Sequence, residues 1–401
     1  MFLGILITKL LKLNSNKNFF IGIHEIASNI HSIQDAFTAN NITCNSLIIN
    51  NNYTKKVKIE RNSINSSRKY LDIQSENLFS RFIKRLLLRL FLPLLFLYYL
   101  LQNDIFIFVW NKTFLPLNLD LLLLKISNKK VICYHCGDEV RYRAMQSQID
   151  IDFKIRLWSQ ENYINNFLRN FYFVWLCEMT ADHIISARDQ ATFQQIPYNN
   201  FYFPHKGTDF QNKDQQKKVT ILHAPSDRKI KGTDIVLEAI SNLSKISHLF
   251  DFCLLEGKKN HEILLQLTST DIVIDQPGVW AGRFAIEGCA AGCVVVGGNN
   301  QVYMDSYDSP IIQFEPSVTK LRNTLEKLIV NRQYLNEYKE LCYNFWLENY
   351  SEKSFIQYIL SVLDGTAQKF SPVKNQKKLL LKGAQNYVEY IIIYLFYNPK
   401  N

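Results

Sequence analysis

Short apolar runs alternate along the chain with longer segments of helical periodicity, the pattern of parallel strands joined by crossover helices. In the first half, strands are expected at Asn18–Ile23, Cys44–Asn50, Asp104–Trp110, Lys130–His135, Asp182–Ala187 and Phe201–Pro204, with helices at Ile26–Phe37, Ser80–Leu101 and Gln160–Thr180. The stretch 51–75 is rich in Asn, Ser and Lys and is expected to be irregular. Residues 205–217 (HKGTDFQNKDQQK) carry turn chemistry and read as a linker. A second alternation follows, with strands at Val219–Ala224, Asp251–Glu256, Asp271–Asp275, Cys293–Gly297 and Ile311–Phe314. Helices are expected at Thr233–Leu243, His261–Leu267, Arg283–Ala291, 316–330, 332–348 and 352–364. No internal repeat of solenoid period interrupts this pattern.

The 401 residues exceed one ordinary core and fit two α/β, Rossmann-like domains, at 1–204 and 218–365, followed by a basic and apolar tail at 366–401. With 47% hydrophobic and 20% charged residues, both halves have the material for a core. The apolar N-terminal segment is interrupted by Lys9 and Lys12 and lacks a small-residue cleavage site, so it does not read as a signal peptide. The run Leu86–Leu101 contains Arg89 and Pro93 and falls short of a clean membrane span.

The net charge of +10 suits an anionic partner, and the basic residues cluster at 81–89, 228–231 and 369–382. The eight cysteines lie mostly in apolar runs, as small hydrophobes of a reducing cytoplasm. Cys133 and Cys136 form a lone C-x-x-C without the second ligand pair that zinc needs. Asp150-Ile-Asp152 spells a D-x-D but follows no strand end, and no metal or cofactor is expected.

Two segments of the second half carry chemistry. His223–Asp234 (HAPSDRKIKGTD) runs from a strand end to a helix start, the edge at which parallel sheets bind ligands. There Arg228 offers forked hydrogen bonds and Lys231 a point charge, Gly232 admits close backbone approach, and the helix start offers free N–H groups, together a cradle for a diphosphate. A solvated basic turn is the plainer alternative. In Asp275–Gly298 (DQPGVWAGRFAIEGCAAGCVVVGG), a loop with Gly278 and Gly282 opens onto a helix that bears Glu287 and closes at Gly292. A carboxylate one turn in from such a loop accepts both hydroxyls of a ribose; the alternative is a Glu on an exposed helix face.

Lys231-Gly232 and Glu287-Gly-Cys-Ala-Ala-Gly292, together with Tyr350-Ser351-Glu352 before the last helix, resemble the donor half of the retaining family-4 glycosyltransferases. The resemblance covers residues 200–365 and extends loosely to the N-terminal half. It implies a GT-B fold, two Rossmann-like domains facing across a cleft that closes over the substrates. It implies that Arg228 and Lys231 hold the diphosphate of a nucleotide sugar and stabilise the leaving group. Glu287 would hold the ribose, and the backbone of Gly282, Arg283 and Phe284 would contact diphosphate or sugar. Two positions depart from the family pattern. Val279 stands where the family carries its earlier, sugar-contacting glutamate, which leaves Asp275 as the candidate for that contact, and the family's Gly-Arg before Lys-Gly is replaced by an Arg three residues before Lys231.

In the N-terminal half, the turn His135-Cys-Gly-Asp-Glu-Val-Arg141 resembles the family's strand-end turn, so His135 and Asp138, with Glu139 and Arg141, are candidates to meet acceptor or donor phosphates. Ile21–Glu25 has one glycine, a poor phosphate loop alone. Asp182 and His205 are weaker candidates. Arg81, Lys84, Arg85 and Arg89 recur at helical spacing, so residues 81–100 read either as a surface for anionic lipid or as a core helix with a charged outer edge. The expected activity is sugar transfer from a nucleotide sugar to a glycan or lipid-linked acceptor in envelope polysaccharide synthesis, at the cytoplasmic face of the membrane. The rival readings are a nucleotide- or glycan-binding pseudoenzyme on the same fold and a nucleic-acid binder, the latter opposed by the lack of any recognisable module.

Overall fold

The computed structural model describes residues 18–50, 68–72, 78–137, 139–141, 160–188, 190–207, 218–229, 231–276, 282–297, 309–314 and 316–372, without side chains at 50, 68–72, 78–86, 89 and 160–167. The chain forms two compact units. The first takes described residues from 18–141, 160–204 and 355–372, and the second takes those from 205–354.

The first unit is built from β1 (Phe19–Ile23), α1 (Asn29–Ala39), β2 (Cys44–Asn50), β3 (Arg68–Asp72), α2 (Leu78–Gln102), β4 (Ile105–Val109), α3 (Asp120–Ile126), β5 (Lys130–His135), α4 (Gln160–Thr180), β6 (His183–Ser186) and β7 (Tyr198–Asn200). One sheet orders the strands β12-β7-β6-β5-β4-β1-β2-β3, where β12 is Lys369–Phe370, and every pairing is parallel except β12 with β7. From β1 the chain moves outward to β2 and β3, then crosses back to β4 and continues to β5 and β6. Right-handed crossovers therefore put α1 on one face and α2, α3 and α4 on the other. The cores follow. Phe19, Ile21, Ile107 and Tyr134 pack with Ile30, Ile33 and Phe37 of α1. Phe20, Phe106, Phe108 and Val131 pack with Phe96, Tyr99 and Leu100 of α2, Leu121 and Leu124 of α3, and Leu176 of α4.

The second unit contains β8 (Val219–His223), α5 (Thr233–Ser241), β9 (Phe250–Leu254), α6 (Asn260–Leu267), β10 (Ile272–Ile274), α7 (Arg283–Ala290), β11 (Val294–Val296), α8 (Val318–Val330) and α9 (Arg332–Asn349). Its parallel sheet runs β11-β10-β8-β9. Val273 and Val295 lie so close under Gly288 of α7 that a Cβ there would sit 3.1–3.2 Å from their methyls, which explains the glycine inside a helix.

Several elements differ from the sequence pattern. β3 lies within the stretch expected to be irregular; its Arg68-Lys69 start shows no apolar alternation, and it pairs only with β2 at the sheet edge, where charge is tolerated. The strand expected at Phe201–Pro204 is instead Tyr198–Asn200, because the ladder is held by backbone and by Asn199 donating to the Ala367 and Gln368 carbonyls. Of Ile311–Phe314 only Ile312 pairs, with Val296. The last helix, α10 (Glu352–Leu363), buries Phe355, Ile356, Ile359 and Val362 in the first unit's core, so the chain returns to that unit at Phe355, ahead of the boundary expected at 365. α2 continues through Pro93, and the described part of its outer edge is apolar rather than charged: Leu87, Leu90, Phe91, Leu94, Tyr98 and Leu101 are exposed.

Candidate functional site

In the second unit the strand-end loops bring the two sequence segments together. β8 ends at His223, a buried ring whose Nδ1 faces the Ile274 carbonyl at 2.9 Å and whose Nε2 faces the Thr233 hydroxyl at 3.0 Å. Burial lowers its pKa, so it stays neutral and clips β8 to β10 and to the start of α5. The loop then turns through Gly232, whose φ of 60° is left-handed and favours glycine at the cap of α5.

Lys231 reaches across this edge, and its Nζ lies 2.6 Å from Asp275 Oδ1. The other Asp275 oxygen accepts the Gly282 N–H at 2.9 Å. Gly282 caps α7, whose first residues Arg283 and Phe284 are both partly buried and have N–H groups beyond the helix's own acceptors. Lys231, Asp275 and the α7 N-terminus thus form one charged centre. Arg228 stands apart from it on the exposed rim, 3.1 Å from Glu256 and 3.9 Å from Asp234.

One turn into α7, Glu287 is buried rather than on an exposed face. Its Oε1 lies 3.4 Å from Arg283 Nε, 3.4 Å from Asn260 Nδ2 and 3.9 Å from His205 Nε2. Burial raises the Glu287 pKa against the opposing pull of Arg283 and Asn260. His205 is held by its backbone: its N–H donates to the Tyr350 carbonyl at 2.8 Å, and its carbonyl accepts from Trp346 Nε1 at 3.2 Å. Burial, aided by Arg283, lowers its pKa to about 4, which leaves a neutral imidazole beside the carboxylate. His205 and Asn260 are the residues that the sequence motifs underweighted. Both stand outside the two segments, and only their approach to Glu287 marks them.

The first unit treats its candidates differently. His135 ends β5 at 1% exposure, with its ring beside the Cys177 thiol. Asp138, Val279 and Asp150–Asp152 lie outside the described residues. Glu139 is buried, and its Oε1 accepts the Cys136 N–H at 2.6 Å, closing the turn on itself. Glu25 accepts the N–H groups of Ile30 and His31 and faces His31 Nδ1 at 2.5 Å, so it caps α1. Gly22 is packed against the Phe20 ring, where a Cβ would sit at 2.7 Å, a close-packing role rather than a phosphate loop. Asp182 binds Lys130 Nζ at 2.8 Å and the Val131 N–H at 2.9 Å, tying strand starts together.

No protein-family model matches the sequence, and no curated protein matches it. Solved structures do. The HepE protein of Anabaena, in complex with UDP and glucose, is 11% identical, with 87% of this chain and 100% of that chain covered at a TM-score of 0.52. A glycosyltransferase from Rickettsia africae is 11% identical, with 88% and 99% covered at 0.52. Sucrose-phosphate synthase from Thermosynechococcus elongatus is 11% identical, with 87% and 98% covered at 0.52. The likeness at these identities is one of fold: two α/β units with parallel sheets, of the GT-B type.

Proposed function

We propose that this chain is a glycosyltransferase that transfers a sugar from a nucleotide sugar to a glycan or lipid-linked acceptor, with retention, in envelope polysaccharide synthesis at the cytoplasmic face of the membrane. The observation that carries the reading is the meeting of Lys231, Asp275 and the α7 N-terminus at the C-terminal edge of the β8–β11 sheet, with Glu287 one helical turn beyond. The diphosphate exchanges part of the Lys231–Asp275 contact for its own oxygens and meets the first N–H groups of α7. As the glycosidic bond breaks, charge grows on the diphosphate, and Lys231, with Arg228 swung in from the rim, stabilises it more than the ground state. Glu287 accepts the ribose hydroxyls, and neutral His205 completes the wall beside it. The complexes of HepE with UDP and UDP-glucose support a uridine nucleotide as the first donor to try.

Two observations favour a second reading, a nucleotide- or glycan-binding pseudoenzyme. Both Asp275 oxygens are engaged within the protein, and Val279 replaces the family's sugar-contacting glutamate. Thermal shift with UDP, UDP-glucose and other nucleotide sugars, on wild type, Lys231→Ala and Glu287→Ala, tests the site. A ligand at about 100 times its Kd adds about 2.7 kcal/mol of stability. Stabilisation lost in both variants supports the donor site, and absence of any response in wild type sinks it. Slow hydrolysis or transfer of the stabilising sugar separates enzyme from pseudoenzyme.

A further inference from the structure

The chain reverses its progress across the first unit's sheet between β1 and β4. β1 leads outward to β2 and β3, while β4 lies on its other side with β5 and β6 beyond. The crevice at the C-terminal ends of β1 and β4 is therefore the topological switch point, the place where open parallel sheets bind ligands. His24 follows β1 and Trp110 follows β4, and their rings lie 6.3 Å apart. Gly137, in the turn after β5, makes room for Trp110: a Cβ there would sit 2.8 Å from the indole. Trp110 is half-buried and has left-handed backbone, with φ 63°, an uncommon state for a bulky residue. Such strain persists only where the surroundings fix it, and it concentrates at ligand sites.

The loop after Trp110 is firmly held. The Trp110 N–H donates to the Tyr134 carbonyl at 3.0 Å, and the Lys112 N–H donates to the Trp110 carbonyl at 2.8 Å. Asn111 is buried and donates to the Glu139 carbonyl at 3.2 Å. Tyr172 of α4 donates its hydroxyl to the Leu117 carbonyl at 3.2 Å, and Arg169 stands one turn earlier on that helix. Lys112 and Arg169 both reach solvent, yet they stand close enough to repel. The Lys112 pKa is lowered first by loss of surrounding water and then by the Arg169 charge. Burial, and then Lys112, lowers the His24 pKa to about 4, so that ring is neutral. Among the described residues no carboxylate pairs with Lys112 or Arg169. Asp120 accepts from the Thr113 hydroxyl and the Phe114 N–H, and Glu139 accepts from the Cys136 N–H. Like charges held together without an anion are a cost to the fold that a bound anion removes.

We propose that this switch-point crevice binds a sugar bearing an anionic group, a phosphate or a carboxylate. The Trp110 indole takes the apolar face of the sugar ring beside the neutral ring of His24. Lys112 and Arg169 take the anion, Arg169 through forked hydrogen bonds. As the acceptor site it rests on the sugar-transfer reading; as a binding site it does not. The acceptor is then an acidic or phosphorylated glycan rather than a neutral one.

Calorimetric titration of the full chain tests this with glucose 1-phosphate, glucuronic acid, glucose and inorganic phosphate. At least one charged sugar is expected to bind about tenfold or more tightly than both glucose and inorganic phosphate. Glucose 1-phosphate as the tighter ligand names a phosphorylated acceptor, and glucuronic acid names an acidic sugar. Lys112→Gln/Arg169→Gln should reduce the charged sugar to the level of glucose. Its melting temperature should stay level or rise, because the repulsion is gone. Trp110→Asn, a residue type that accepts left-handed backbone, should remove the advantage over inorganic phosphate. Lys231→Met/Asp275→Asn, changed only in the second unit, should bind the charged sugar as wild type does. Neither charged sugar exceeding glucose overturns the proposal. So does unchanged binding by Lys112→Gln/Arg169→Gln, a fall in its melting temperature, or loss of the sugar in Lys231→Met/Asp275→Asn. Inorganic phosphate binding as tightly as the charged sugars overturns the sugar site. A wild type that binds the charged sugar but no nucleotide leaves this site standing and sinks the donor reading alone.

Discussion

Lys231 Nζ lies 2.6 Å from Asp275 Oδ1, and the Asp275 side chain has no solvent exposure. The aspartate stands where an anionic ligand of the α7 N-terminus would stand, and its second oxygen already accepts the Gly282 N–H. The pair is therefore both a structural ion pair and the occupant of the candidate diphosphate cradle.

Removing one partner separates these roles. Lys231→Ala strands a buried carboxylate and should cost about 3–5 kcal/mol in urea unfolding. Lys231→Met/Asp275→Asn removes the charges together and should recover most of that loss. It should still bind no nucleotide diphosphate in calorimetry. Recovery of binding along with stability would show that Lys231 serves the fold alone.

Glu287→Gln keeps the shape of the buried side chain and removes its charge. Charge-assisted hydrogen bonds to ribose are worth about 1.5–3 kcal/mol, so affinity for the responding ribonucleotide should fall about 10- to 100-fold. The 2′-deoxy analogue should lose much less between wild type and variant. Equal losses for both nucleotides would remove Glu287 from the ribose.

The neutral His205 has a pH signature. Its folded pKa of about 4 lies below the ordinary 6.5, so its contribution is fully present above about pH 6.5 and is lost as pH falls toward 4. Across that window the loss reaches about 3 kcal/mol. His205→Asn should unfold at urea midpoints that change less between pH 7 and pH 4.5 than those of wild type. It should also weaken nucleotide binding at pH 7, where no proton is involved. A parallel acid dependence in both proteins would contradict the assignment.

Arg228 is half exposed, and its pairs with Glu256 and Asp234 lie in solvent. Arg228→Ala should change stability by no more than about 1 kcal/mol. Any larger effect on sugar transfer, read as kcat/KM for the responding donor, then reports charge stabilisation on the leaving diphosphate. Unchanged kcat/KM would leave Arg228 as a surface residue.

Gly288→Ala places a methyl 3.1–3.2 Å from Val273 and Val295 and should cost about 1–3 kcal/mol by overpacking, read as a lower melting temperature. Wild-type stability in this variant would mean that α7 is free to shift.

The apolar alternation by itself determined most strands and long helices, because parallel strands buried on both faces read as continuous apolar runs. It also located the two candidate segments, since Lys231-Gly232 and Glu287 stand at fixed distances from strand ends that periodicity locates. It missed β3 and moved β7, because edge strands and polar YNN are held by backbone pairing that leaves little mark on side-chain pattern. Only the tertiary structure decided which charges meet. Arg228 and Lys231 are neighbours in sequence, yet Lys231 turns inward to Asp275 while Arg228 turns outward to Glu256. His205 reaches Glu287 from 82 positions away because the Trp346 and Tyr350 backbone contacts hold it there. The same holds for the outer stripe of α2. Both of its faces are apolar in sequence, and burial of Phe96, Tyr99 and Leu100 against the sheet selects which face remains outside. Periodicity is a local property of the chain; pairing of charges and choice of buried face are set by long-range packing.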